Sequence, residues 1–92
     1  MINVVGNKFF VKYYYQLRDM IAADIVDIIQ EGYSFSEKQA RINGAKNIFA
    51  NGLARTALTQ ILQSNTAAVG QDLKDSALAI LRDEFPNQSV DL

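Results

Sequence analysis

The chain has 92 residues, enough for one domain with a thin hydrophobic core. Hydrophobic residues make up 49% of it, a fraction typical of a globular protein and too high for a disordered one. The formal net charge of −1 gives no overall attraction to nucleic acid or anionic lipid. Cysteine and histidine are absent, which excludes disulfides, thiolate metal sites and histidine general bases.

A single long helix is predicted over residues 8–31. Apolar side chains recur there at the 3.6-residue spacing of an amphipathic helix, and Gly32 follows as its terminating glycine. Residues 1–6 form an apolar N-terminal arm, and Asn7 is expected to cap the helix. At 1.5 Å per residue, this helix would be about 36 Å long.

A second helix is predicted to begin at residue 37. Ser36 and Gln39 have the spacing of a capping box, and Phe35 would be the hydrophobic staple beside it. Ser34 and Glu37 have the same spacing and offer a rival box just upstream.

The end of this second helix depends on Asn51 and Gly52, which could terminate it as a C-cap. The apolar face keeps its phase across this pair, so we favour one helix that continues to about residue 63. A last helix is predicted over residues 67–85 and ends before Pro86, and residues 87–92 form a loose tail.

These elements predict an all-α fold, with residues 1–92 as a single domain. The expected architecture is a small antiparallel helical bundle of three long helices, or four if the second breaks at Gly52. The wide apolar arc of the first helix predicts self-association, most simply as a two-fold homodimer. No signal peptide or membrane-spanning stretch is evident, and with cysteine absent we expect a cytoplasmic protein.

An aromatic cluster near the N-terminus is the first candidate site. It comprises Phe9, Tyr13, Tyr14 and Tyr15. Successive helical residues point about 100° apart, so three adjacent tyrosines cannot all face the core. The cluster fits a core edge, a protein-binding surface or, less well, a stacking surface for single-stranded nucleic acid.

Three acids near the end of the first predicted helix form the second candidate site. Asp24, Asp27 and Glu31 lie where the helix dipole disfavours negative charge. We expect solvation, or ion pairs with Lys38 or Arg41 of the second helix. The alternative is a docking face for a basic partner, whereas a metal site would need more converging oxygen ligands.

Amide side chains recur every four residues along the second predicted helix. The series is Gln39, Asn43, Asn47 and Asn51, with Arg55 next in step. A solvated outer face explains this ladder, since a helix must be polar opposite its core. The alternative is a face that reads bases in a DNA groove, with nearby lysines and arginines on the phosphates.

The small residue Gly44 indicates a place where another backbone approaches closely, either from the first helix or from a symmetry mate. No catalytic constellation, cofactor motif or metal-ligand cluster is visible in the sequence. We therefore expect a non-enzymatic interaction or regulatory protein that binds another protein and itself. A regulator that binds nucleic acid through the amide ladder is the alternative.

Overall fold

The computed structural model describes residues 5–64 and 69–86, and within them the chain forms six α-helices and no β-strand. The all-α class is therefore confirmed, but the helices are more numerous and shorter than predicted. They are α1 (Asn7–Lys12), α2 (Tyr14–Asp19), α3 (Ala22–Ile28), α4 (Phe35–Ala50), α5 (Ala54–Gln63) and α6 (Gln71–Glu84).

The single helix predicted over residues 8–31 is wrong, because the chain divides it into α1, α2 and α3. The first interruption is a local distortion at Tyr13, whose φ is −108°. Helical hydrogen bonds continue on both sides of Tyr13, since its amide donates to the Phe9 carbonyl and its carbonyl accepts from Leu17. The second interruption is complete, because Met20 and Ile21 are both extended.

A lysine side chain of α4 stabilises the backbone at this second interruption. The Lys46 ammonium of α4 donates to the Met20 carbonyl, which has no helical partner once α2 has ended. The chain then turns, and α3 packs along α4. The turn leaves the side chain of Ile21 66% exposed, although the helical pattern placed it in the core.

The start of α4 is set by Ser34, not by Ser36. The Ser34 Oγ accepts from the Glu37 amide at 3.2 Å, which is the rival cap of the sequence analysis. Phe35 is therefore the first helical residue and not a staple ahead of the helix. Its side chain is 63% exposed.

The predicted continuous second helix is also wrong, because α4 ends at Ala50, with Asn51 as its C-cap and Gly52 after it. The Leu53 amide donates to the Ile48 carbonyl and the Gly52 amide to the Phe49 carbonyl, the hydrogen-bond pair of a Schellman motif. Gly52 has a φ of 68°, a conformation that side chains with a Cβ disfavour. The second helix therefore breaks at Gly52, which was the alternative that the sequence analysis gave to a continuous helix.

Both chain ends differ from the prediction. Gly6, not Asn7, occupies the N-cap of α1, and Asn7 is its first helical residue. The last helix begins at Gln71 and ends one residue before Phe85, with Pro86 following. Most of the predicted arm, the start of the predicted last helix and the predicted tail lie outside the described residues.

The core is built around a group of aromatic rings between α1, α2 and α4. Phe10 stacks on Phe49 at 5.7 Å between ring centroids, and Tyr14 contacts both rings edge to face. Helices α5 and α6 pack on each other through buried Leu58, Ile61 and other aliphatic side chains. Helix α6 also packs on α1, so the first and last helices of the structure are in contact.

Arg41 of α4 binds the segment that precedes α1. Its Nη1 donates to the Val5 carbonyl at 2.7 Å. Its guanidinium lies 4.2 Å from the centroid of the Tyr33 ring and 5.7 Å from that of Phe9. Gly6 has a φ of 87°, and a Cβ on it would lie 2.6 Å from Arg41 Nη1.

We expect Gly6→Ala to lower the free energy of unfolding by about 1–3 kcal/mol, because alanine disfavours positive φ and its Cβ would displace Arg41. Urea denaturation followed by circular dichroism measures the change. Gly32→Ala is the matched control, because nothing lies within 4 Å of its Cβ position. Equal stability losses in the two variants would contradict this role for Gly6.

Candidate functional site

The aromatic cluster is mostly core. Phe9, Tyr13 and Tyr14 are buried, and only Tyr15 reaches the surface, where it is 37% exposed. The expectation that at least one of the three adjacent tyrosines lies outside the core is thus met by Tyr15. The surface available for binding at this cluster is correspondingly small.

The exposed side chain of Tyr15 is bound to α6. Its hydroxyl donates to Asp83 at 2.7 Å, and the carboxylate raises the pKa of Tyr15 to about 12. The Arg18 guanidinium lies 5.2 Å from the Tyr15 ring centroid and pairs with both Asp19 and Glu84. These contacts join α2 to α6, which indicates a structural role for the polar edge of the cluster.

Glu31 also has a structural position, and its partners are not the ones expected. It pairs with Lys12 at 3.0 Å and accepts from the Tyr13 hydroxyl at 2.6 Å, so neither Lys38 nor Arg41 is its cation. The Tyr13 hydroxyl in turn accepts from the Gln30 amide at 3.1 Å. The Tyr13 hydroxyl and the Lys12 ammonium lower the pKa of Glu31 to about 2.

Asp24 and Asp27 remain exposed on α3, and neither forms an ion pair within the described part of the chain. Asp24 and Asp27 are three positions apart in the sequence and so lie on one side of the helix. The nearby Lys46 is already bound to the Met20 carbonyl. Of the three predicted acids, α3 therefore presents two to solvent as unneutralised charge.

The four amides of the ladder all lie on α4 or at its C-cap, and all four are exposed. Three of these amides, Asn43, Asn47 and Asn51, line a shallow groove on the outer face of α4. The other residues that line it are Ala40, Gly44, Ile48 and Leu53. We call this surface the outer face of α4. Arg55 is separated from the ladder by the break at Gly52 and is half-buried in α5.

A second groove lies between α3 and α4 and has a volume of about 370 Å³. We call it the α3–α4 groove. Its lining is mainly apolar and comprises Ala22, Ala23, Val26 and Asp27 from α3 with Phe35, Gln39, Ile42 and Asn43 from α4. Exposed Phe35 is part of this lining, and Asp27 supplies its only charge.

Sequence reasoning missed the α3–α4 groove, because it did not predict the break at Met20 and Ile21 that sets how α3 packs on α4. The sequence analysis placed Phe35 in a hydrophobic staple ahead of the second helix, and not in a groove. The one local signal was the series of β-branched residues in α3, which are weak helix formers. That series contains Ile25, Val26 and Ile28.

We expect Tyr13→Phe to lower the free energy of unfolding by about 1–3 kcal/mol, because it leaves Glu31 and the Gln30 amide without the hydroxyl that joins them. Tyr33→Phe is the matched control, since within the described residues the Tyr33 hydroxyl forms no hydrogen bond. It should change stability by less than about 0.5 kcal/mol. Equal losses in chemical denaturation would show that the Tyr13 hydroxyl is not an anchor.

The stability of the protein should fall as the pH falls from about 4.5 towards about 2. The pKa of Glu31 is lowered from an ordinary 4.5 to about 2 in the folded protein, so its stabilisation is complete above the higher value and lost towards the lower. Thermal unfolding across this range should show a flatter pH dependence for Glu31→Gln than for the wild type. Glu37→Gln, at an exposed glutamate without an ion pair in the described part of the chain, should retain the wild-type slope.

Three further observations bear on the function of these surfaces. Among the described residues, no group of three or more acidic, histidine or cysteine side chains lies together as a metal site would require. None of the described helices combines the length and the apolar character needed to cross a bilayer. Comparison with models of protein families, with curated proteins and with solved structures found no match to this chain.

Proposed function

We propose that this chain is a non-enzymatic interaction protein with a regulatory role, and that it self-associates through the outer face of α4. The observation that carries the proposal is the absence of charge on this face among the residues that line its groove. The lining consists of amides, small residues and aliphatic side chains.

An uncharged amide face suits contact between identical chains. In a two-fold dimer, a residue near the axis lies beside its own copy, so a charged residue there would repel itself. An asparagine side chain both donates and accepts hydrogen bonds, and it can therefore pair with its own copy. Asn43 and Asn47 are in the middle of the face, where the axis would pass.

Close approach is possible along the same face. Ala40 and Gly44 are small and lie one helical turn apart, and Leu53 adds an apolar side chain that is 37% exposed. Gly44 is the position at which the sequence analysis expected close approach by either the first helix or a symmetry mate. A second α4 packed there would bury aliphatic surface and leave the amides to hydrogen-bond across the interface.

The size of the face predicts weak association. An α-helix of 16 residues is about 24 Å long and about 10 Å wide, which gives roughly 240 Å² of projected contact. Stable interfaces bury about 800 Å² on each partner. We therefore expect a dimer that dissociates on dilution, not an obligate one.

Nucleic-acid binding by the amide ladder has less support. Arg41 is engaged with Val5 and Tyr33, and Lys46 with the Met20 carbonyl, so two of the cations expected to contact phosphates are used within the fold. Lys38 is half-buried. Without such cations the ladder lacks the charge on which nucleic-acid affinity depends.

We expect Asn47→Lys to shift the protein towards the monomer, because it places like charges on either side of the two-fold axis. The lysine would lie in the last turn of α4, where the helix dipole favours a cation, so the fold should be retained. Gln60→Lys, which adds the same charge at an exposed position of α5, is the matched control. Light scattering over a dilution series measures the mass.

The wild type and Gln60→Lys should approach twice the chain mass of 10.2 kDa at high concentration. Asn47→Lys should remain near 10.2 kDa under the same conditions. A wild type that stays monomeric at every concentration would overturn self-association. Dimerisation of Asn47→Lys to the wild-type extent would exclude the outer face of α4 as the interface.

A further inference from the structure

The α3–α4 groove combines an apolar surface with an unneutralised negative charge. Phe35 is 63% exposed over the groove, and the rest of the apolar lining comes from Ala22, Ala23, Val26 and Ile42. An exposed aromatic side chain in contact with a groove is the kind of residue that contributes most to protein binding. The groove is therefore suited to apolar side chains presented by another molecule.

The charge beside this groove is acidic and lacks a partner. Asp27 lines the groove, and Asp24 lies one turn before it on the same side of α3. Two other acids close in sequence are neutralised, since Asp19 pairs with Arg18 and Glu31 with Lys12. Asp24 and Asp27 thus form a local negative field that a cationic partner would complement.

We propose that the α3–α4 groove binds an amphipathic helix of another protein, with apolar side chains in the groove and lysine or arginine beside Asp24 and Asp27. Such a helix presents its apolar residues at the spacing that helix-in-groove recognition requires. The inference rests on the proposed function in that the chain acts by binding protein. The α3–α4 groove shares Asn43 with the outer face of α4, but its other lining residues lie outside that face.

The same charges argue against other occupants of this groove. A second copy packed on this groove about a two-fold axis would bring Asp24 and Asp27 of both copies into one interface, where like charges are costly. Nucleic acid and an anionic membrane would meet the same repulsion. A basic partner is the only one of these whose charge Asp24 and Asp27 attract.

A synthetic amphipathic peptide tests the proposal. The probe is a labelled peptide with leucines at helical spacing and lysines elsewhere, and the comparison peptide carries glutamate in place of lysine. Fluorescence anisotropy gives the affinity of each for the full chain. We expect the lysine peptide to bind, with an affinity that decreases as salt is added, and the glutamate peptide not to bind.

Two sets of variants locate the binding site. The double variant Asp24→Asn/Asp27→Asn should weaken binding of the lysine peptide about three- to tenfold, as expected for the loss of two exposed ion pairs. Its matched control is Asp72→Asn/Asp75→Asn, because these acids have the same spacing and exposure on α6. Phe35→Ser should weaken binding more than about tenfold through the loss of the aromatic contact.

The outcomes separate this proposal from self-association. Titration of the Asn47→Lys protein measures peptide binding without the dimer, and unchanged affinity there supports the α3–α4 groove as an independent site. Equal binding by the wild type, the Asp24→Asn/Asp27→Asn variant and Phe35→Ser would overturn the proposal and leave self-association intact. A monomeric wild type that binds the lysine peptide through Phe35 would overturn self-association alone.

Discussion

The extended backbone at Met20 and Ile21 determines how the N-terminal half of the chain is buried. A continuous helix would have carried Ile21 and Ile25 along one stripe into the same core. With the break, Ile25 is buried and Ile21 is exposed, and α3 lies along α4. The α3–α4 groove and the exposure of Asp24 and Asp27 both follow from this one change of direction.

The cause of that break is not local, which is why the sequence did not predict it. No glycine or proline interrupts residues 8–31, and the group that satisfies the Met20 carbonyl comes from Lys46 in α4. The same limit applies to the start of α4, where the boxes at Ser34 and Ser36 are equivalent in sequence. The features set by nearby residues were predictable, namely the helical class and the candidate break at Gly52.

The candidate sites also differ in whether nearby residues or distant ones determine them. The exposure of the amide ladder follows from a four-residue spacing on one helix, so it could be predicted. The sequence of the aromatic cluster fits a core edge or a binding surface, and what decides between them is that the Tyr13 and Tyr15 hydroxyls bind the carboxylates of Glu31 and Asp83. Such partners lie 18 and 68 residues away, beyond any local pattern.

The contacts between α2 and the last helix, α6, have a consequence for folding during synthesis. Tyr15 and Arg18 bond to Asp83 and Glu84, which follow them by 68 and 66 residues. At translation rates of about 5–20 residues per second, α1 and α2 leave the ribosome several seconds before α6 exists. The side of α1 and α2 that α6 covers in the folded protein is exposed for that time, so the nascent chain should be a better substrate for chaperones than the finished protein.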